Sequence, residues 1–232
     1  MSGNANWWDE VEAVIAEKSL LKHPFYQAWT MGRLTREDLA YYAQQYYQQE
    51  SRFPRYVSAV HSNCPELRAR QMLLENLSHE EAGSENHPEL WLRFAEAVGA
   101  SREAVVKAEM SGATQACVRT FESLAHDPSW PVGLAALYAY EAQQPAVART
   151  KREGLVGRYG VCSEPALAFF RAHEELDQWH SEAERRMLLE QAGREPSLKG
   201  KVVAAVSRAC DALNGLLDGV CEARGIECPA AA

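Results

Sequence analysis

The 232-residue chain carries 24 basic against 32 acidic side chains, a net charge of −8, and 47% of it is hydrophobic. That much apolar material builds a sizeable core and excludes a disordered body, while the acidity removes any general electrostatic reason to bind nucleic acid or an anionic lipid surface. No apolar run approaches the roughly 20 residues that cross a bilayer, and the opening MSGNANWWDEVEAV lacks the basic start and apolar middle of a signal peptide, so the expected location is the cytoplasm.

Ile occurs twice and Thr five times, against abundant Ala, Leu, Glu, Gln and Arg, a mix that favours helix over sheet. In chain order, helices are expected at about 6–18, 24–31, 35–62, 65–83, 88–98, 101–109, 112–126, 130–152, 163–191 and 198–224. Thr35-Arg36-Glu37-Asp38 offers an N-cap with acidic residues in the first turn. Pro54 and Pro145 lie inside otherwise helical stretches, and each predicts a kink or a break. Asp127-Pro128 to Trp130-Pro131 reads as a loop. The last helix follows the breaker Gly193-Arg194-Glu195-Pro196-Ser197, ends near Gly225, and steps Val203, Val206, Cys210, Leu213, Leu217 and Val220 into one stripe. With no repeat, linker or shift in composition, the expectation is a single all-α domain over 1–232.

The six cysteines, Cys64, Cys117, Cys162, Cys210, Cys221 and Cys228, form no CxxC pair and no zinc-like spacing. In a reducing compartment they read as small apolar side chains, with Cys221 and Cys228, near the end, expected to be exposed.

Three stretches carry candidate chemistry. In RAHEELDQWHSEAERR, His173-x3-Asp177-x2-His180 places two imidazoles and a carboxylate on one helical face, a ligand strip for a first-row transition metal. The competing reading is a solvated polar face with incidental histidines. In NLSHEEAGSENHPELW, Glu80 and His87 stand seven apart and return to nearly the same face, although Gly83 and Pro88 predict a break between them. Glu81, Glu85 and His79 compete for the same role. Glu141 ends the apolar run of GLAALYAYEAQQPAV, where burial demands a partner such as a metal ion and a surface edge would not. The Glu-x-x-His pair of ferritin-like sites is absent; only Asp177-x-x-His180 approaches it. Tyr41, Tyr42, Tyr46 and Tyr47, interleaved with Gln44, Gln45, Gln48 and Gln49, suggest the lining of a polar cavity. Tyr26 beside Phe25 and Trp29 reads as core, Lys151 as a solvated lysine in a charged run, and His23, His61, His79 and His126 as structural.

Taken together, HPFYQAW, NLSHEEAGSENHPELW, YAYEAQQP and FFRAHEELDQWH resemble the haem-oxygenase-like helical family that includes TenA, PqqC and the chlamydial protein associating with death domains, the last being nearest in pattern. The likeness runs from about Trp8 to Arg224. It implies a compact bundle of about seven main helices with shorter ones, and a homodimer. It also implies Glu80, His87, Glu141, His173, Asp177 and His180 as ligands of two metal ions, iron with iron or manganese with iron. Dioxygen and an external reductant would be co-substrates, with the electron donor unspecified. That branch makes para-aminobenzoate for folate by consuming one of its own tyrosines. Tyr26 matches that tyrosine, Lys151 the lysine that supplies nitrogen, and Tyr42 and Tyr140 tyrosines near the metals able to relay a radical; Phe169 stands where relatives can carry another tyrosine. Such metals take on the electron chemistry that side chains cannot, and apolar helix walls shield a radical from water. Two other readings stay open: a di-iron oxidase of the same fold with an external small-molecule substrate, and a metal-free PqqC- or TenA-like or partner-binding protein.

Overall fold

The structure, a computed structural model, describes residues 7–227, and these contain α-helices with one 3₁₀ turn at Leu20–Lys22 and no β-strand. The helices are α1 (Trp7–Glu17), α2 (Pro24–Thr30), α3 (Arg36–Glu50), α4 (Phe53–Asn63), α5 (Leu67–Glu81), α6 (His87–Ala97), α7 (Arg102–Val106), α8 (Gly112–Ala125), α9 (Trp130–Glu141), α10 (Gln144–Arg158), α11 (Glu164–Arg194) and α12 (Leu198–Arg224).

Both internal prolines break the chain as their chemistry requires. The expected helix over 35–62 divides at Ser51-Arg52, leaving Pro54 in the first turn of α4, where its missing N–H costs nothing. The one expected over 130–152 divides at Ala142-Gln143, with Pro145 in the first turn of α10. At Thr35 the side chain accepts from the Asp38 N–H while the Asp38 carboxylate accepts from the Thr35 N–H, closing a capping box. α12 ends as expected at Gly225, whose φ of +63° suits the left-handed cap, and the Ile226 N–H returns to the Cys221 carbonyl at 2.9 Å.

All twelve residues of α9 are buried, so this helix is apolar on every side because neighbours cover every side. α12, α11, α8 and α4 pack around it, and α11 also carries α6 and α10. One continuous apolar core runs from Trp8 on α1 to Cys221 on α12. Cys221 is therefore buried rather than exposed, because α12 turns it onto the core stripe; the exposed cysteine is Cys162 in the loop before α11, and Cys228 lies outside the described residues. No helix of the described residues is long and apolar enough to cross a membrane.

Candidate metal centre

Four helices present their carboxylates and imidazoles to one interior region. α9 ends at Glu141, α11 projects His173, Asp177 and His180, the last turn of α5 carries Glu80, and α6 begins at His87. All six side chains are 0–1% exposed. The break between Glu80 and His87 falls at Gly83, with φ of +78°, and Asn86 caps α6 by accepting from the Glu89 N–H.

Two groups emerge whose ligand atoms all lie within 4.8 Å of one another: Glu50, His87 and His173, and Glu141, Asp177 and His180. Glu80 is in neither. Its Oε2 accepts at 2.9 Å from His87 Nδ1, while Glu50, at the end of α3, faces His173 Nε2 at 3.8 Å. Glu50 escaped the sequence reading although it continues the face of Tyr42 and Tyr46 at a spacing of four. Glu184 escaped it too, one turn beyond His180 on the same strip and fully buried. The competing Glu81 and Glu85 are exposed.

Each imidazole ties one nitrogen to the protein. His173 Nδ1 donates to the Phe169 carbonyl at 2.8 Å, His87 Nδ1 donates to Glu80, and His180 Nε2 meets His79 Nδ1 at 2.9 Å. Asn76 Nδ2 donates to Glu141 Oε1 at 2.8 Å. What is left over is buried without a hydrogen bond: His87 Nε2, Glu50 Oε1, Glu141 Oε2, both oxygens of Asp177, both of Glu184, and His180 Nδ1, which stands 3.3 Å from Glu141 Oε1 and 3.6 Å from Asp177 Oδ1 in ion-pair contact only. Buried polar atoms are seldom left so. Outer partners that fix the tautomer, with converging unpartnered N and O atoms inside, are what a first-row metal pair requires of its holder.

The charges strain against one another accordingly. Burial opposes the charged form of His87, yet Glu80 beside it holds the imidazole up at about 9. Burial likewise opposes His180, which Asp177 and Glu141 hold at about 10. Burial carries His173 well below the usual range. It pushes Glu50 up to about 7 with help from the Glu80 charge, and raises Asp177 and Glu184 well above ordinary carboxylates.

Beside these groups lies an aromatic chamber. Lys151 is fully buried, contrary to its reading as a solvated lysine, and its Nζ has no hydrogen-bond partner. That nitrogen stands 4.6 Å from the centre of the Tyr46 ring, 5.3 Å from Trp91, 5.4 Å from Tyr42, 5.6 Å from Tyr26 and 5.8 Å from Phe170. Burial pushes its pKa down to about 7. Tyr26 and Tyr42 pair their hydroxyls at 3.3 Å, and Tyr46 and Tyr140 theirs at 2.8 Å. Burial raises all four phenols. Phe169 lies against the His173 ring, with centroids 4.0 Å apart.

The glutamines do not line this chamber as a set. Gln45 and Gln48 donate to the carbonyls of Glu109 and Val105, pinning α3 to the segment around α7, and Gln49 Oε1 accepts from Tyr56. His23 is structural, capping α2 through the Phe25 N–H and meeting Asp218. His79 is not isolated, given its contact with His180.

A family model described as "iron-containing redox enzyme" matches residues 40–214. A 4-aminobenzoate synthase of Chlamydia muridarum is 42% identical over 217 residues, covering 94% of this chain and 91% of the relative. A 4-aminobenzoate synthase of Nitrosomonas europaea is 40% identical over 222 residues, covering 92% and 90%. Among solved structures, a TenA homologue from Pseudomonas syringae superposes with a TM-score of 0.82 at 16% identity, covering 94% of this chain and 93% of that one, a likeness of fold.

Proposed function

The chain belongs to the haem-oxygenase-like family of iron-containing redox enzymes, and from that membership we propose that it makes para-aminobenzoate from its own Tyr26, with Lys151 as the nitrogen donor. The cofactor would be two metal ions, iron with iron or manganese with iron, held by Glu80, His87, Glu141, His173, Asp177 and His180 with Glu50 added. Such a pair, when bound, supplies the electrons that reduce dioxygen, and an external reductant restores them.

One observation carries the reading: a buried lysine amine without a hydrogen-bond partner lies among buried aromatic rings with Tyr26, 5.6 Å from the centre of that ring. An amine whose pKa sits near 7 is substantially neutral at physiological pH, and its lone pair is then available as a nucleophile. The chamber itself does not single out Tyr26, since Tyr46 is closer at 4.6 Å; the match of HPFYQAW to the family does. The Tyr26–Tyr42 hydroxyl contact gives the Tyr26 phenol a partner toward which its proton can move. The walls of Trp29, Trp91, Phe94 and Phe170, all fully buried, keep water from a reactive ring.

The test is isotopic. Protein carrying ring-labelled tyrosine and 15N-lysine is loaded with iron or manganese, reduced, and exposed to dioxygen. Both labels are expected in para-aminobenzoate, no more than one product forms per chain, and Tyr26→Phe and Lys151→Arg give none. Product from Tyr26→Phe, or many turnovers per chain, would transfer the activity to an external substrate.

A further inference from the structure

An interior metal pair that consumes electrons needs a way for them to arrive, and the ligand side chains are sealed at 0–1% exposure. Of the three imidazole ties described above, two end inside the protein. His173 returns to the Phe169 carbonyl within its own helix, and His87 to the buried Glu80. The third leads outward. His180 Nε2 meets Nδ1 of His79, which is half-buried at the end of α5, and the two rings lie nearly parallel with centroids 5.2 Å apart. Trp179 stands edge-on to both, 6.4 Å from His79 and 5.5 Å from His180, and it is 44% exposed.

Resting on the metal-centre reading above, we propose that the Trp179–His79 edge is the electron port of this protein, where an external one-electron carrier delivers reducing equivalents toward His180. Each event takes one electron from the carrier, which is oxidised by one, and lowers one metal ion by one oxidation state; no covalent bond forms or breaks. Trp179 offers the donor an exposed π-surface, and the His79 ring bridges it to a side chain that solvent does not reach.

The experiment is anaerobic rapid mixing of metal-loaded, oxidised protein with reduced methyl viologen, following the loss of viologen colour. Metal content is measured beforehand on every sample. Trp179 is largely outside the core, so Trp179→Ala leaves the fold intact, and His79→Gln keeps an acceptor for His180 while removing the ring. Both variants are expected to retain wild-type metal content and to be reduced several-fold more slowly. An unchanged rate in either variant overturns the port while leaving the metal centre standing. A wild-type chain that takes up no metal overturns both.

Discussion

Tyr140 donates a 2.6 Å hydrogen bond to Glu50, joining the tyrosine chamber to the Glu50–His87–His173 group. Because that proton is committed to a carboxylate, Tyr46 must donate to Tyr140, and the Gln144 amide in turn donates to Tyr46 at 2.9 Å. The Tyr46 and Tyr140 hydroxyls thus have a fixed direction, and Glu50 anchors it.

Glu50→Ala removes one donor from the first group and leaves the second untouched. The expected outcome is a fall from two bound ions per chain to about one, with the ion of the second group retained. Elemental analysis after anaerobic loading reads it directly. Two ions per chain in the variant would show that Glu80 and the two imidazoles hold the first ion without Glu50.

Lys151 has a pKa of about 7 in the fold against an ordinary 10.5, because burial disfavours its charge. Between those values the unfolded chain binds a proton that the folded chain does not, so this residue makes stability rise with pH from about 7 to about 10.5. Below that window its cost is complete. Metal-free Lys151→Met should therefore be more stable than the parent at pH 7, by on the order of 3 kcal/mol, with the gap closing toward pH 10. Urea unfolding at several pH values measures it, and a gap independent of pH would rule out the low-pKa amine.

The helices were legible because local signals set them: the Thr35 capping box, the breaks before Pro54 and Pro145, and the stripe of α12. The strip on α11 was legible for the same reason, being a spacing within one helix. Glu50 was not, since it joins His87 and His173 only through the packing of α3 against α6. Lys151 misled because Arg149 and Glu153 around it are exposed and only one residue of the charged run turns inward. Gly154, one turn on, leaves bare backbone against the Trp29 indole that bonds the Lys151 carbonyl, and no pattern of charge or hydropathy reports it.

His87 at about 9 and His180 at about 10 both hold protons at pH 7.5 when no metal competes. Raised above their unfolded values, they contribute stability that is complete below about 6.5 and lost as pH climbs through 9 to 10; Asp177 and Glu184, also raised, lose theirs in the same direction. Metal uptake must expel such protons. Saturating iron or manganese should raise the unfolding midpoint by roughly 5–10 °C, and by more at pH 8.5 than at pH 6.5. Lys151 contributes to both curves, so the difference between loaded and metal-free samples isolates the site. Equal gains at the two pH values would contradict this assignment of protons.

Gly154 on α10 lies against the Trp29 indole so closely that an added Cβ would stand 2.5 Å from its Nε1 and 2.6 Å from Cδ1. That same Nε1–H donates to the Lys151 carbonyl at 3.2 Å, one turn earlier on the helix. Neither ring nor helix has room to withdraw: Trp29 is fully buried and packs on Phe25, Tyr42, Phe94 and Tyr159. Gly154→Ala should destabilise the protein by about 1–2 kcal/mol despite the better helix propensity of alanine, because overpacking outweighs the gain of about 1 kcal/mol. It should also shift the Lys151 amine within its chamber and lower product formation while leaving metal content unchanged. Gly157→Ala, one turn away with open space around it, serves as the control and should be neutral or slightly stabilising. Thermal unfolding with metal analysis separates the two effects, and equal stability of the two variants would show that Trp29 is free to move.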